Sequence, residues 1–273
     1  MEHYETDTRD LAGLAWSPDD RVLCVWESLA EDYKVVLYSV DGRCLGSYLG
    51  YQMALGIKSV TWSPTSQFLA VGSYDQKVRL LNSITWKTIT GYDHPSSVTD
   101  LDLVVYREVE KKKAQLNPND VLAGNTSPYF LQTKYEVLED RPVSIASNPL
   151  DPNKPNPKHG IGTLSFSSDS CFLASINDNM PTTIWIWDVK NLVMSDILIQ
   201  AHPVKSIAWD PTQTRLAICC STNYVYFWSP SGCLCVEIPS EGLFNANSVK
   251  WHSSGESLLL MSKDSMCVCY LSS

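Results

Sequence analysis

The sequence predicts an all-β fold in which short antiparallel sheets repeat along the chain and stack radially. Three observations carry that prediction. An aromatic residue followed by a turn pair recurs as Trp16-Ser17-Pro18, Trp62-Ser63-Pro64, Phe166-Ser167-Ser168, Trp209-Asp210-Pro211 and Trp251-His252-Ser253. These anchors lie 46, 104, 43 and 42 residues apart, so three intervals share one period and the long one holds two periods plus an insertion. A second large residue follows each anchor at a near-constant 22, 19, 21, 19 and 19 residues: Tyr38, Leu81, Trp187, Trp228 and Tyr270.

Each anchor opens the same series of elements. An apolar strand comes first: Arg21–Trp26, Phe68–Gly72, Phe172–Ile176, Arg215–Cys219 and Ser257–Met261. A polar turn follows, at Glu31-Asp32, Tyr74-Asp75, Asn177-Asp178, Thr222-Asn223 and Lys263-Asp264, where Asn and Asp side chains bond nearby backbone. The next strand ends on the second large residue, and Trp187-Asp188 is the one literal Trp-Asp pair there. A period of about 40–45 residues with this grammar is that of WD40 repeats. A four-stranded sheet cannot cover both its faces, and radial packing against neighbours solves that. The chain 1–273 therefore reads as one WD40-type β-propeller with about six blades visible, five clear and one degenerate, forming a closed small ring or a partial propeller. Trp16, Trp62, Phe166, Trp187, Trp209, Trp228 and Trp251 are expected to pack between blades. His3–Asp7 is expected to supply a fourth strand to the blade built on Trp251.

The repeat is broken between Arg107 and Gly160, which holds seven of the fifteen prolines. Strand-like pieces survive at Leu101–Arg107, Lys134–Leu138 and Pro142–Ala146, whereas residues 116–127 and 148–159 read as long loops. The expectation is a degenerate blade over about 95–150 carrying those loops, and long loops on a rigid propeller often carry binding function.

Composition narrows the function classes. A chain 44% hydrophobic and 10% aromatic is globular. A net charge of −9 argues against nucleic acid as a partner, because phosphate binding needs concentrated Lys and Arg. The basic run Lys111-Lys112-Lys113 follows Glu108 and Glu110 and reads as a solvated loop. No apolar run reaches membrane-spanning length, and the polar, acidic Met1-Glu2-His3-Tyr4-Glu5 start is not a signal peptide. A reducing cytoplasmic setting is expected, which leaves the Asn125-Thr126-Ser127 sequon unused. The nine cysteines fall mostly in strand-like runs as small hydrophobes. Cys233/Cys235 and Cys267/Cys269 each share one strand face. No four-ligand spacing calls for a metal.

Nothing in the sequence calls for catalysis or a cofactor. There is no Gly-x-Ser-x-Gly elbow and no phosphate-cradling glycine loop. His94-Pro95 and His202-Pro203 precede new blades, where WD repeats often place a Gly-His pair whose His enters a structural network with the turn Asp. Here Asp93 and Ala201 replace the Gly. His252 lies in an anchor turn, and Glu139-Asp140 lies on a loop-like stretch.

Longer runs carry a more specific resemblance. Thr6-Asp7-Thr8-Arg9-Asp10-Leu11 before the first anchor begins it, and the stretch from Leu55-Gly56-Ile57-Lys58-Ser59-Val60 to Ile84-Thr85-Trp86-Lys87 continues it. Gly160-Ile161-Gly162, Asn177-Asp178-Asn179, Ile186-Trp187-Asp188 and the run Trp228-Ser229-Pro230-Ser231-Gly232-Cys233 extend it towards the end of the chain. Together they resemble a centrosomal and spindle-pole WD-repeat family, whose vertebrate member is encoded antisense to a p53-family gene and whose fungal members act at the spindle pole body. The match is weakest over 113–132.

That resemblance implies an adaptor that binds a coiled-coil microtubule-anchoring protein and, in fungi, a minus-end-directed kinesin. The implied roles are anchoring of microtubule minus ends, spindle organisation and early cilium assembly. It also implies that further WD repeats precede the position matching Met1, so that this chain corresponds to the C-terminal portion. Two other classes stand beside this one. A substrate receptor or adaptor of another cytosolic complex, such as a ubiquitin ligase, requires a link to a ligase adaptor, and the chain has no F-box-like segment. A propeller hydrolase requires converging His and carboxylates in the central channel. For partner contact, Trp86, Tyr51 and Tyr74 are the rim aromatics of choice, with packing against a neighbouring loop standing beside contact for Trp86. On that expectation Trp86→Ala weakens partner binding without unfolding, and a large fall in Tm marks the residue as structural.

Overall fold

The computed structural model describes residues 5–27, 34–49, 56–112, 131–149, 158–239 and 244–271. These contain strands and no helix. The first blade is β1 (Leu11–Trp16), β2 (Val22–Glu27), β3 (Lys34–Ser39) and β4 (Cys44–Leu49). The second is β5 (Ile57–Trp62), β6 (Phe68–Ser73), β7 (Lys77–Asn82) and β8 (Thr88–Asp93). After β9 (Ser97–Val98), β10 (Val104–Lys112), β11 (Leu131–Val137) and β12 (Val143–Ser144), the third blade is β13 (Ile161–Phe166), β14 (Phe172–Asn177), β15 (Thr183–Asp188) and β16 (Val193–Ile199). The fourth is β17 (Ser206–Trp209), β18 (Leu216–Cys219), β19 (Tyr224–Ser229) and β20 (Gly232–Glu237). The fifth has three strands among the described residues: β21 (Ser248–Trp251), β22 (Ser257–Met261) and β23 (Met266–Tyr270). The chain is an all-β WD40 propeller fold.

The anchor turn closes on itself. The Ser after the aromatic is buried, and its hydroxyl accepts the backbone N–H that opens the next strand: Val22 to Ser17 at 2.9 Å, Phe68 to Ser63 at 3.0 Å, Phe172 to Ser167 at 2.9 Å. Asp210 replaces Ser in the fourth blade, where it accepts from Thr212 N–H at 2.8 Å and pairs with Arg215 at 2.6 Å. Burial pushes the Asp210 carboxyl up, but the bonds from Thr212 and Arg215 outweigh it and hold the group below the usual carboxylate range.

Blades are joined by a repeated bond. The anchor indole donates to the carbonyl one residue before the previous anchor: Trp62 to Ala15 at 3.3 Å, Trp209 to Ser165 at 2.9 Å and Trp251 to Ala208 at 2.9 Å. Strand register lines up the anchor, a Leu on the second strand and the residue at the Trp-Asp position, as in Trp209–Leu216–Trp228. That row faces the preceding blade, so each interface owns one apolar cluster.

The fifth blade corrects one assignment. Its register is Trp251–Leu258–Cys269, so Cys269, not Tyr270, holds the Trp-Asp position. The connecting hairpin is one residue shorter, and a slip of one residue turns a side chain to the other face. Tyr270 is 80% exposed, while Cys267 and Cys269 pack against the fourth blade. Trp16 also departs from the expected packing and is 49% exposed, because no described blade stands in front of it. Among the described residues, no sheet or apolar cluster joins the first blade to the fifth. Residues 3 and 4 of the expected closing strand lie outside the described residues. Asp7 meets the first blade instead, its N–H donating to the Tyr38 hydroxyl at 2.7 Å and its carboxylate pairing with Lys34.

The segment expected to form a degenerate blade is divided. β9 and β12 make a two-residue ribbon, whereas β10 and β11 form a hairpin added to the outer edge of the third blade through a parallel β10–β16 pairing. The second and third blades then pack directly on each other, sharing one apolar cluster. Buried Glu108 holds the hairpin in place. Its two oxygens accept the Ala201 N–H and the Tyr226 hydroxyl, each at 2.7 Å. Tyr135 on β11 stands edge-on to Tyr226, and its hydroxyl bonds Gln200. Most of the proposed 116–127 and 148–159 loops, with Lys113, lie outside the described residues.

His94 enters a structural network before a new blade, but its partners are Gln76 and Ser175 and not the turn Asp75, which pairs with Arg79. Its Nδ1 lies 2.9 Å from the Gln76 carbonyl, so that nitrogen carries the proton and Nε2 accepts from the Ser175 hydroxyl at 2.7 Å. Ser175 in turn accepts the Trp187 indole N–H at 2.7 Å. Burial drives the His94 pKa down to about 3, outweighing the Gln76 bond and the nearby Asp93 charge, which push it up. An unfolded His titrates near 6.5, so the unfolded chain binds the extra proton first. The contribution is complete above about pH 6.5 and is lost as pH falls towards about 3. Stability is expected to drop by about 2 kcal/mol between pH 7 and pH 5, read from urea midpoints, and His94→Gln removes most of that slope.

Candidate interaction surface

Five of the cysteines are held as inert thiols. Burial pushes the Cys219 and Cys235 thiols up to about 12 and those of Cys24, Cys220 and Cys233 higher still, so all five stay protonated. Cys267 and Cys269 share a face as expected, with their sulfurs 3.8 Å apart. Among the described residues, no group of three or more His, Cys, Asp or Glu is placed to hold a metal ion. His202 is exposed and lies 3.6 Å from Glu110, and His252 caps its own turn by accepting the Ser254 N–H at 3.2 Å.

The three rim aromatics fare differently. Tyr51 lies outside the described residues. Trp86 is half-buried in the β7–β8 turn, with its backbone N–H donating to the Asn82 carbonyl at 2.9 Å. Its indole stands edge-on to Trp62 at 6.2 Å and lies on β4 of the first blade, where a Cβ on Gly46 would sit 2.8 Å from its ring. Trp86 is therefore a joint between blades rather than an exposed contact, because the turn folds it back over a residue without a side chain. Trp86→Ala is expected to lower Tm by about 5 °C, at about 2 kcal/mol for a half-buried indole, in a thermal melt.

Tyr74 sits half-buried in the β6–β7 turn. The Lys58 ammonium lies 5.0 Å from its ring centroid and forms a 2.6 Å ion pair with Asp178 of the third blade. The same ammonium donates to the His159 carbonyl at 2.7 Å. Gly160 makes this approach feasible: its φ is +79°, and a Cβ there would lie 2.5 Å from the Tyr74 Cα. Tyr74, Lys58 and Asp178 thus knit the second blade to the third at the rim.

Next to them a cleft of about 580 Å³ opens between the third and fourth blades. Its walls are the β14–β15 turn with Asp178 and Pro181, the β16–β17 loop with Pro203, Val204 and Lys205, and Lys158. Sequence reasoning passed over Lys158 and Lys205, since neither belongs to a motif; only the folding of three separate stretches brings them together. A second opening of about 360 Å³ is apolar and lies between the fourth and fifth blades, lined by Val236, Ile238, Val268 and Leu271 among others.

Comparison with known proteins agrees with this architecture. Residues 42–82 and 194–229 match the WD domain, G-beta repeat family. Each match runs from the outer strand of one blade to the third strand of the next, so the sequence repeat is offset from the blade. The chain is 48% identical over 277 residues to the WD repeat-containing protein WRAP73 of Mus musculus, covering 99% of this chain and 59% of the relative. It is 24% identical over 292 residues to an uncharacterized WD repeat-containing protein of Schizosaccharomyces pombe, covering 99% of this chain and 55% of the relative. A shorter stretch of 79 residues is 38% identical to eukaryotic translation initiation factor 3 subunit I of Aspergillus niger. The chain thus spans a little over half the length of the first two relatives, at 59% and 55%.

Proposed function

Because the chain belongs to the WD-repeat family, we propose that it acts as a non-catalytic protein-interaction scaffold at the centrosome or spindle pole. The observation that carries the reading is the 48% identity to a mouse WD-repeat protein across 99% of this chain. The centrosomal address rests on the resemblance carried by the runs through Leu55–Lys87, Asn177-Asp178-Asn179 and Ile186-Trp187-Asp188. The described residues support binding over chemistry: the buried histidine is locked into a structural network and the buried thiols stay protonated.

In this reading the propeller presents its rim to a coiled-coil microtubule-anchoring protein and, in fungal settings, to a minus-end-directed kinesin. It helps anchor microtubule minus ends, organise the spindle and support early cilium assembly. The test is affinity capture from dividing cells with tagged full-length and 273-residue forms side by side. Recovery of a coiled-coil centrosomal protein, with the tagged protein at microtubule-organising foci, is the expected result. Recovery of a ubiquitin-ligase adaptor instead, with diffuse cytoplasmic signal, overturns it.

A further inference from the structure

We propose that the cleft between the third and fourth blades binds an extended acidic peptide segment of a partner protein, an inference that rests on the scaffold reading and names the chemistry of its ligand. The chain carries a net charge of −9, yet this cleft has the opposite sign. Lys158 and Lys205 both line it, both are exposed, and neither forms an ion pair among the described residues. The one acid in the wall, Asp178, is already neutralised by Lys58 at 2.6 Å. An anionic side chain entering the cleft therefore meets two exposed ammonium groups, unpaired among the described residues, on a chain of net charge −9.

The walls match a polypeptide. Pro181, Pro203 and Val204 supply apolar surface beside the lysines. A volume of about 580 Å³ falls within the small-ligand range and has room for a few residues of extended chain. The walls are also held before any ligand arrives. Val204 N–H donates to the Pro181 carbonyl at 2.8 Å, tying the β16–β17 loop to the β14–β15 turn, and Lys205 N–H donates to the Cys219 carbonyl at 2.8 Å. A preformed cleft loses little order on binding. Nucleic acid is the poorer fit, because two lysines neutralise few phosphates and no aromatic ring lines the walls for base stacking.

The test is an array of octapeptide pools of graded net charge, each interleaving charged residues with Leu and Pro, probed with the purified 273-residue protein. Acidic pools are expected to retain at least ten times more protein than their Gln-substituted counterparts. The Lys158→Glu/Lys205→Glu double variant loses that preference, whereas Lys250→Glu, an exposed lysine on the fifth blade, keeps it. Unchanged melting curves show that each variant is folded. Retention independent of peptide charge, acid preference surviving in the double variant, or equal competition by single-stranded DNA each overturns the proposal. Recovery of the cellular partner by the double variant as well as by the parent chain also overturns it, while leaving the scaffold function standing.

Discussion

Replacing Trp187 with alanine is expected to cost about 3–5 kcal/mol, the loss seen for fully buried aromatics, and to lower Tm by about 10 °C. Trp187 is 2% exposed and stacks on Tyr92 of the second blade at 4.5 Å between ring centroids. Its removal opens a cavity in the joint between the second and third blades, where the apolar cluster is continuous across both. It also takes away the indole N–H that Ser175 accepts, loosening the bond from Ser175 to His94. Trp187→Phe separates the two effects, since it fills most of the space and supplies no donor. About 1–3 kcal/mol is expected for that variant, by urea denaturation. A Trp187→Ala loss below 1 kcal/mol would refute the assignment of this residue to the joint.

Glu108→Ala is expected to be nearly as damaging, at about 3–4 kcal/mol, although the residue lies outside every repeat. Two donors, the part-buried Ala201 N–H and the buried Tyr226 hydroxyl, lose this acceptor together, and an unmet buried group costs about 1–3 kcal/mol. Glu108→Gln keeps one acceptor oxygen and is expected to recover about half the loss. Limited proteolysis supplies the structural readout: in Glu108→Ala the β10–β11 hairpin is cut well before the blades. Cutting at the parent rate would show that the hairpin is held by its strand pairing with β16 alone.

Glu108 also shows where sequence reasoning runs short. Within Arg107–Lys112 it looks like one more charge in a solvated run, and only its two partners, 93 and 118 residues away, reveal a buried acid. Trp86 is a related case. An aromatic between Thr85 and Lys87 suits either an exposed contact or packing against a neighbour, and a left-handed backbone at φ +57° decides for packing onto Gly46 of the neighbouring blade. At Tyr270, counting from the anchor lands one residue out of register because the hairpin is shortened, and on a strand that slip inverts the face.

Local patterning by itself determined the all-β class, the five aromatic anchors and the place where the repeat breaks. Those features depend on period-two alternation and turn residues within a few positions, and such short-range preferences are written directly in the chain. The tertiary structure alone decided that the hairpin at β10–β11 joins the third blade, that Trp16 and Tyr270 stand exposed while their counterparts are buried or half-buried, and that Lys158 and Lys205 meet across one cleft. Each of these depends on which distant surfaces come into contact, and neither periodicity nor propensity encodes that pairing.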